Sequence, residues 1–157
     1  MSQDITFLKP FLDGIRETIK IQCGTEITPL KPMMKSTAPA YTFDIAAIIG
    51  LASSTFKGTM TICFPKAVYL EFLSQMLGEQ FTEITPDLHD GAAELLNIIF
   101  GHAKRVLNDS GHDFQKAIPS VIQGQNLQSR HLSANPVIVL PFSCAKGTFY
   151  VEFVIGE

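Results

Sequence analysis

Asp90, Glu94, Asn97 and Gly101 share the polar side of one segment, residues 85–108, whose other side is almost unbroken Leu, Ile, Ala and Val. A carboxylate and an amide at helical i, i+3 spacing, as in Glu94 and Asn97, lie on one helix face and can enter one cleft together. General acid–base catalysis usually requires a carboxyl withdrawn from water. A side chain on the outer face of an amphipathic helix is not withdrawn, so Glu94 must act with something outside the chain or not at all. Asn is a poor helix former, and Gly in a helix interior costs on the order of 1 kcal/mol relative to Ala. Their presence in mid-helix suggests a face shaped for a purpose other than helix stability. Taken without context, Glu and Asn at this spacing on a solvated face are ordinary surface residues.

The segment that must position them reads as a single helix. At about 100° per residue, Leu88, Ala92, Leu95, Leu96, Ile99, Ala103, Val106 and Leu107 form one apolar stripe, with Glu94 and Asn97 roughly opposite. Thr85 suits the N-cap and Pro86 the first helical position, and Asp87 and Asp90 put negative charge near the positive end of the dipole. Lys104 and Arg105 lie toward the negative end, and Asn108-Asp109-Ser110-Gly111 supplies residues that stop helices.

Around it, residues 7–22 have helical spacing through Phe11, Ile15 and Ile19, with Gly24 beyond the end, and Pro65 opens another helix through Val68, Phe72, Leu73 and Leu77, closed by Gly78. Residues 41–51, 57–64, 118–122, 135–142 and 148–155 read as strands, rich in β-branched and aromatic residues, and 27–33 as a weak edge strand broken by Pro29 and Pro32. Strands grouped between helices and joined by short turns predict an α+β fold, an antiparallel sheet with packed helices. An internal repeat adds a pseudo-twofold. Asp13-Gly14-x-x-Glu17 echoes Asp90-Gly91-x-x-Glu94, and Lys57-Gly58-Thr59 through Phe64 echoes Lys146-Gly147-Thr148 through Phe153, in the same order.

A chain of 157 residues, 46% apolar and with twelve Phe, predicts one domain over 1–157. The net charge of −3 and scattered Lys and Arg lack the electrostatic footprint of a nucleic-acid binder. The N-terminus has no signal-peptide pattern and no apolar run is long enough to span a bilayer, so the expected location is cytoplasmic, with no membrane partner. Cys23, Cys63 and Cys144 are odd in number and widely spaced, unlike a disulfide framework or a zinc cluster. There is no phosphate loop, nucleotide-binding glycine fingerprint, His-Glu-x-x-His or nucleophile elbow.

The ordered set Asp90-Gly91-x-x-Glu94-Leu95-x-Asn97-Ile98-x-x-Gly101-x-x-Lys104, then Ile118-Pro119-Ser120-Val121-Ile122-x-Gly124, then Lys146-Gly147-x-Phe149-x-Val151-Glu152, resembles the CheX branch of the CheC/CheX/FliY chemotaxis phosphatases. Ile49-Gly50-Leu51 and Lys57-Gly58-Thr59-Met60 fit it too, so the resemblance spans nearly the whole chain. It implies dephosphorylation of a CheY-like response regulator at its phospho-aspartate. In that reading Asn97 orients the attacking water, Glu94 pairs with the regulator's lysine, and Asp90, Gly101 and Lys104 belong to the docking face. It implies no cofactor of this chain's own, because Mg2+ is held by the regulator. The residue types suit that chemistry. Phosphoryl transfer asks mainly for positioning and charge compensation, and a neutral amide holds a water without repelling phosphoryl oxygens.

The resemblance also bears on the number of sites. CheC-type members carry Glu-x-x-Asn on both pseudo-symmetric helices, whereas the first copy here reads Glu17-x-x-Lys20, so one active helix per chain and a CheX-like homodimer are implied. The alternative is a binding module of the same fold that docks a response regulator or motor-switch protein without hydrolysis.

Overall fold

The computed structural model describes residues 2–132 and 134–156. In chain order the elements are α1 (Ser2–Cys23), β1 (Thr28–Pro29), β2 (Met33–Met34), β3 (Phe43–Ala52), β4 (Lys57–Phe64), α2 (Lys66–Leu77), α3 (Pro86–His89), α4 (Gly91–Asp109), β5 (Ser120–Leu127), β6 (Val137–Cys144) and β7 (Gly147–Ile155). The described strands form one seven-stranded sheet ordered β1-β6-β7-β4-β3-β5, with β2 also on β6, and every pairing is antiparallel. Among the described residues, no helix is long and apolar enough to cross a membrane.

Period-two alternation decides which face of the sheet the helices cover. Ile45, Ala47, Ile49 and Leu51 of β3, Met60, Ile62 and Phe64 of β4, and Phe149, Val151 and Phe153 of β7 are buried in one core with Phe11, Ile15 and Ile19 of α1, Val68, Tyr69 and Phe72 of α2, and the inner stripe of α4. Helix α1 ends where Gly24 takes φ 61° and its N–H reaches Lys20 O at 3.0 Å; α2 ends alike at Gly78, with φ 71° and N–H to Ser74 O at 2.9 Å. Both glycines occupy the left-handed position that a side chain would strain.

The repeat is built into the register. Ile62 pairs with Val151, its own counterpart in the repeat, so a pseudo-twofold axis passes between the central strands β4 and β7. The edges obey the same symmetry. Strands β1 and β2, which follow α1, pair with β6, and β5, which follows α4, pairs with β3. Each half therefore finishes the sheet of the other.

Four sequence expectations need correction. The single helix expected over 85–108 is two, α3 and α4, interrupted at Asp90. The stripe includes Phe100, buried on the core, but not Val106, which is 39% exposed near the helix end. The strand expected over 118–122 starts at Ser120 and continues to Leu127, because Ile118 is exposed and the polar residues that follow pair as an edge with β3. A register shift there is held by Asp44, whose Oδ1 accepts the Asn126 N–H at 3.0 Å while Oδ2 accepts that of Lys66 at 2.7 Å. The weak edge strand over 27–33 resolves into β1 and β2, separated around Pro32.

The opposite face of the sheet is closed by a polar cluster around Glu152, which is fully buried. Lys35 Nζ donates to Oε2 at 2.8 Å and Ser129 Oγ at 2.6 Å, the Tyr41 hydroxyl donates to the same oxygen, and His131 Nε2 lies 2.7 Å from Oε1. Tyr41 stacks on Tyr150 at 3.7 Å, and Lys35 Nζ sits 4.1 Å above the Tyr41 ring. Burial pushes the Glu152 carboxyl up, but the bonds from His131, Lys35, Ser129 and Tyr41 outweigh it and hold the group down at about 2. The cluster fastens the segments around Lys35 and Ser129 over the centre of the sheet.

Candidate functional site

The rotation of α4 is fixed by what it buries. Ala92, Leu95, Leu96, Ile99, Phe100, Ala103 and Leu107 face the core, which leaves Asp90, Glu94, Asn97 and Gly101 exposed along the outer side and Lys104 half-buried beyond them. Four of the five residues expected on one face thus lie there exposed, and Lys104 extends the row toward the helix end. Among the described residues, the side chains of Glu94 and Asn97 have no hydrogen-bond or ion-pair partner, so both are free to serve something outside the chain. Glu94 sits in the first turn of α4, where the helix dipole favours a carboxylate.

The break at Asp90 positions that first turn. The Tyr69 hydroxyl of α2 donates to Leu88 O at 2.5 Å, taking a carbonyl that a continuous helix would have used internally. A Cβ on Gly91 would lie 2.7 Å from the Tyr69 hydroxyl oxygen and 2.8 Å from Leu73 Cδ1, so α4 begins pressed against α2. On its other side, Gln123 of β5 bonds His89 Nδ1 at 2.9 Å and donates to Ile84 O at 3.1 Å. The two histidines of the segment are absorbed by structure: His89 in this bridge, and His102 half-buried against Gly14 of α1.

Helix α1 packs beside α4, and between them runs a groove of about 310 Å³. Asn97, Gly101 and Arg105 line it from α4, and Glu17, Ile21 and Gln22 from α1. Gly101 differs from Gly91 and Gly14. A Cβ there would meet nothing within 4 Å, and its backbone is ordinary helix, so neither packing nor conformation inside the chain calls for glycine.

Lys20, the counterpart of Asn97 in the repeat, instead reaches Glu26 at 3.7 Å, an exposed ion pair. Among the described residues, no group of three or more His, Cys, Asp or Glu could hold a metal ion. The thiols are unpaired; burial pushes Cys23 up to about 12 and Cys63 well above the ordinary thiol range, leaving both unreactive.

Two contributors do not stand out in the sequence. Tyr69 is one apolar position among many in its helix, although a tyrosine in such a run needs a partner for its hydroxyl, and that is the signal that could find it. Ile21 falls beyond the regular stripe of α1, and its place in the groove depends on how the two helices pack.

A family model described as "Chemotaxis phosphatase CheX" matches residues 45–143. The chain is similar to the solved structure of a CheC-like superfamily protein from Shewanella sp. PV-4, at 33% identity over 96% of this chain and 97% of that one, with a TM-score of 0.88. It is also similar to the chemotaxis protein CheX from Vibrio vulnificus, at 31% identity over 96% and 99% of the two chains and a TM-score of 0.89. The fold is shared with the CheX of Borrelia burgdorferi, solved as a complex with CheY, BeF3 and Mg2+, at 24% identity over 96% and 98% and a TM-score of 0.81. No curated protein matches the chain.

Proposed function

The chain belongs to the CheX family of chemotaxis phosphatases, and on that premise we propose that it removes the phosphoryl group from the aspartate of a CheY-like response regulator. Asn97 orients the attacking water and Glu94 pairs with the regulator's lysine. The observation that carries this reading is the outer row of α4: a carboxylate and an amide on one helix face, both without partners among the described residues, beside a glycine that the chain itself does not require.

The arrangement suits phosphoryl transfer. In-line attack needs a water held at a fixed angle and compensation for charge on the phosphoryl oxygens. A neutral amide on a rigid helix supplies the first, and the regulator's own lysine and Mg2+ supply the second, with Glu94 holding that lysine in register. The chain needs no metal of its own for these steps. The solved complex of the Borrelia CheX with CheY and Mg2+ supports a CheY-like partner. With Lys20 in place of an amide, the first helix is inactive and each chain carries one site. A homodimer belongs to the same reading, and the edge strand β5 offers free backbone groups for it.

Release of phosphate from a panel of labelled CheY-like regulators, with and without the protein, tests the reading. Acceleration for at least one regulator is expected; binding without acceleration across the panel would establish the non-catalytic docking module instead. Glu94→Ala is expected to weaken regulator affinity about tenfold as well as lowering turnover, since an ion pair desolvated in an interface contributes to docking. Unchanged affinity in that variant would remove Glu94 from the assigned role.

Gly101→Leu is expected to leave the protein as helical as before and about 0.5–1 kcal/mol more stable, because leucine is the better helix former and the site is open. Its cost appears in regulator affinity, read by titration with the beryllofluoride-activated regulator. Wild-type affinity would show that the face around Gly101 does not meet the partner.

A further inference from the structure

Phe11, Ile15 and Ile19 of α1 are wholly buried, whereas Ile21 is 67% exposed and contributes nothing to the core. A single exposed isoleucine is ordinary on a protein surface. The position of this one is informative, because it lines the same groove as Asn97. Because Asn97 lines the groove, a regulator docked on Asn97 in the phosphatase reading would have the groove directly beside its phosphorylated site. Gly101 keeps the groove open. Glu17 on one wall and Arg105 on the other carry opposite charges, and among the described residues neither is engaged in a hydrogen bond or ion pair. An apolar centre flanked by one free charge of each sign fits a folded protein surface rather than a polyanion.

From these observations we propose that α1, which lacks the reactive amide, supplies the second wall of the substrate site, with Ile21 seating an apolar side chain from a loop of the phosphorylated regulator between α1 and α4. The proposal rests on the phosphatase reading and deepens it: α4 carries the chemistry and α1 carries affinity. Ile21 touches no reacting atom, so its loss acts on binding and not on the chemical step.

The experiment is steady-state kinetics of Ile21→Ala, Ile21→Asp and Ile21→Leu against the CheY-like regulator that the wild-type protein dephosphorylates fastest. Ile21→Ala is expected to raise KM about tenfold, the loss typical of an anchoring side chain in an interface. Ile21→Asp should raise it further and Ile21→Leu should restore it, with kcat within about twofold of wild type throughout. Thermal midpoints should not move, because the side chain lies outside the core. A wild-type KM in Ile21→Asp, beside a wild-type protein that is active, overturns this proposal alone; an inert wild-type protein overturns it together with the phosphatase reading. Sedimentation provides the remaining arm. A change of oligomeric state in Ile21→Asp would give the groove to a second copy of this chain and overturn the assignment to the regulator.

Discussion

Asn97→Ala is expected to fold as the wild type does and to lose turnover about a hundredfold or more, with regulator affinity nearly unchanged. The side chain is exposed and, among the described residues, has no partner, so its removal opens no cavity and strands no polar group. Alanine is the better helix former, by about 0.5 kcal/mol, so the variant should be slightly more stable. In the proposed reading it loses the amide that would hold water in line with the phosphorus, and phosphoryl transfer depends on such positioning. Asn97→Asp sharpens the test, because it keeps the shape but sets a negative charge against the phosphoryl oxygens, and it should be as inactive as the alanine variant. Wild-type turnover in either, measured by single-turnover loss of labelled phosphate, would move the chemistry elsewhere.

Glu152→Gln is expected to have the largest effect on stability, on the face of the sheet away from the groove. The carboxyl is held at about 2 in the folded protein against an ordinary value of 4.5. A depressed folded value gives stability that is present in full above about 4.5 and is lost as pH falls from there toward 2. A shift of this size corresponds to about 3 kcal/mol at neutral pH. Glutamine keeps the volume but removes the charge that Lys35 faces, so denaturant unfolding should show a loss of about 2–3 kcal/mol at pH 7 that shrinks toward zero near pH 2. Phosphatase activity of the folded variant should be unaffected, since the groove lies across the core. Parallel acid limbs for wild type and variant would show that Glu152 is not the group that titrates.

The features legible in the sequence are local or periodic. Thr85 and Pro86 mark where α3 begins, the inner stripe from Leu88 to Leu107 sets the rotation that leaves Glu94 and Asn97 outside, and the two Lys-Gly-Thr strand starts disclose the repeat whose register places Ile62 opposite Val151. Features set by distant partners are not legible. The interruption at Asp90 comes from Tyr69 and Leu73 on another helix. The course of β5 past Ile122 depends on pairing with β3 and on Asp44, and Glu152 draws its donors from segments around Lys35 and Ser129 that have no regular pattern of their own. The groove is of the same kind: Ile21 and Asn97 face it only because α1 and α4 pack side by side.

The exchange of edge strands between the halves has a consequence for how the protein is made. On the ribosome, Thr28 must wait for Ser143, and the outer edge of β3 stays bare until residues 120–127 have emerged. The first half therefore has no finished state to fall into while it is being synthesised, and pairings this distant in the chain close slowly. A nascent chain stalled after β4 would present unpaired backbone along an apolar strand, the kind of surface that chaperones hold and that otherwise aggregates.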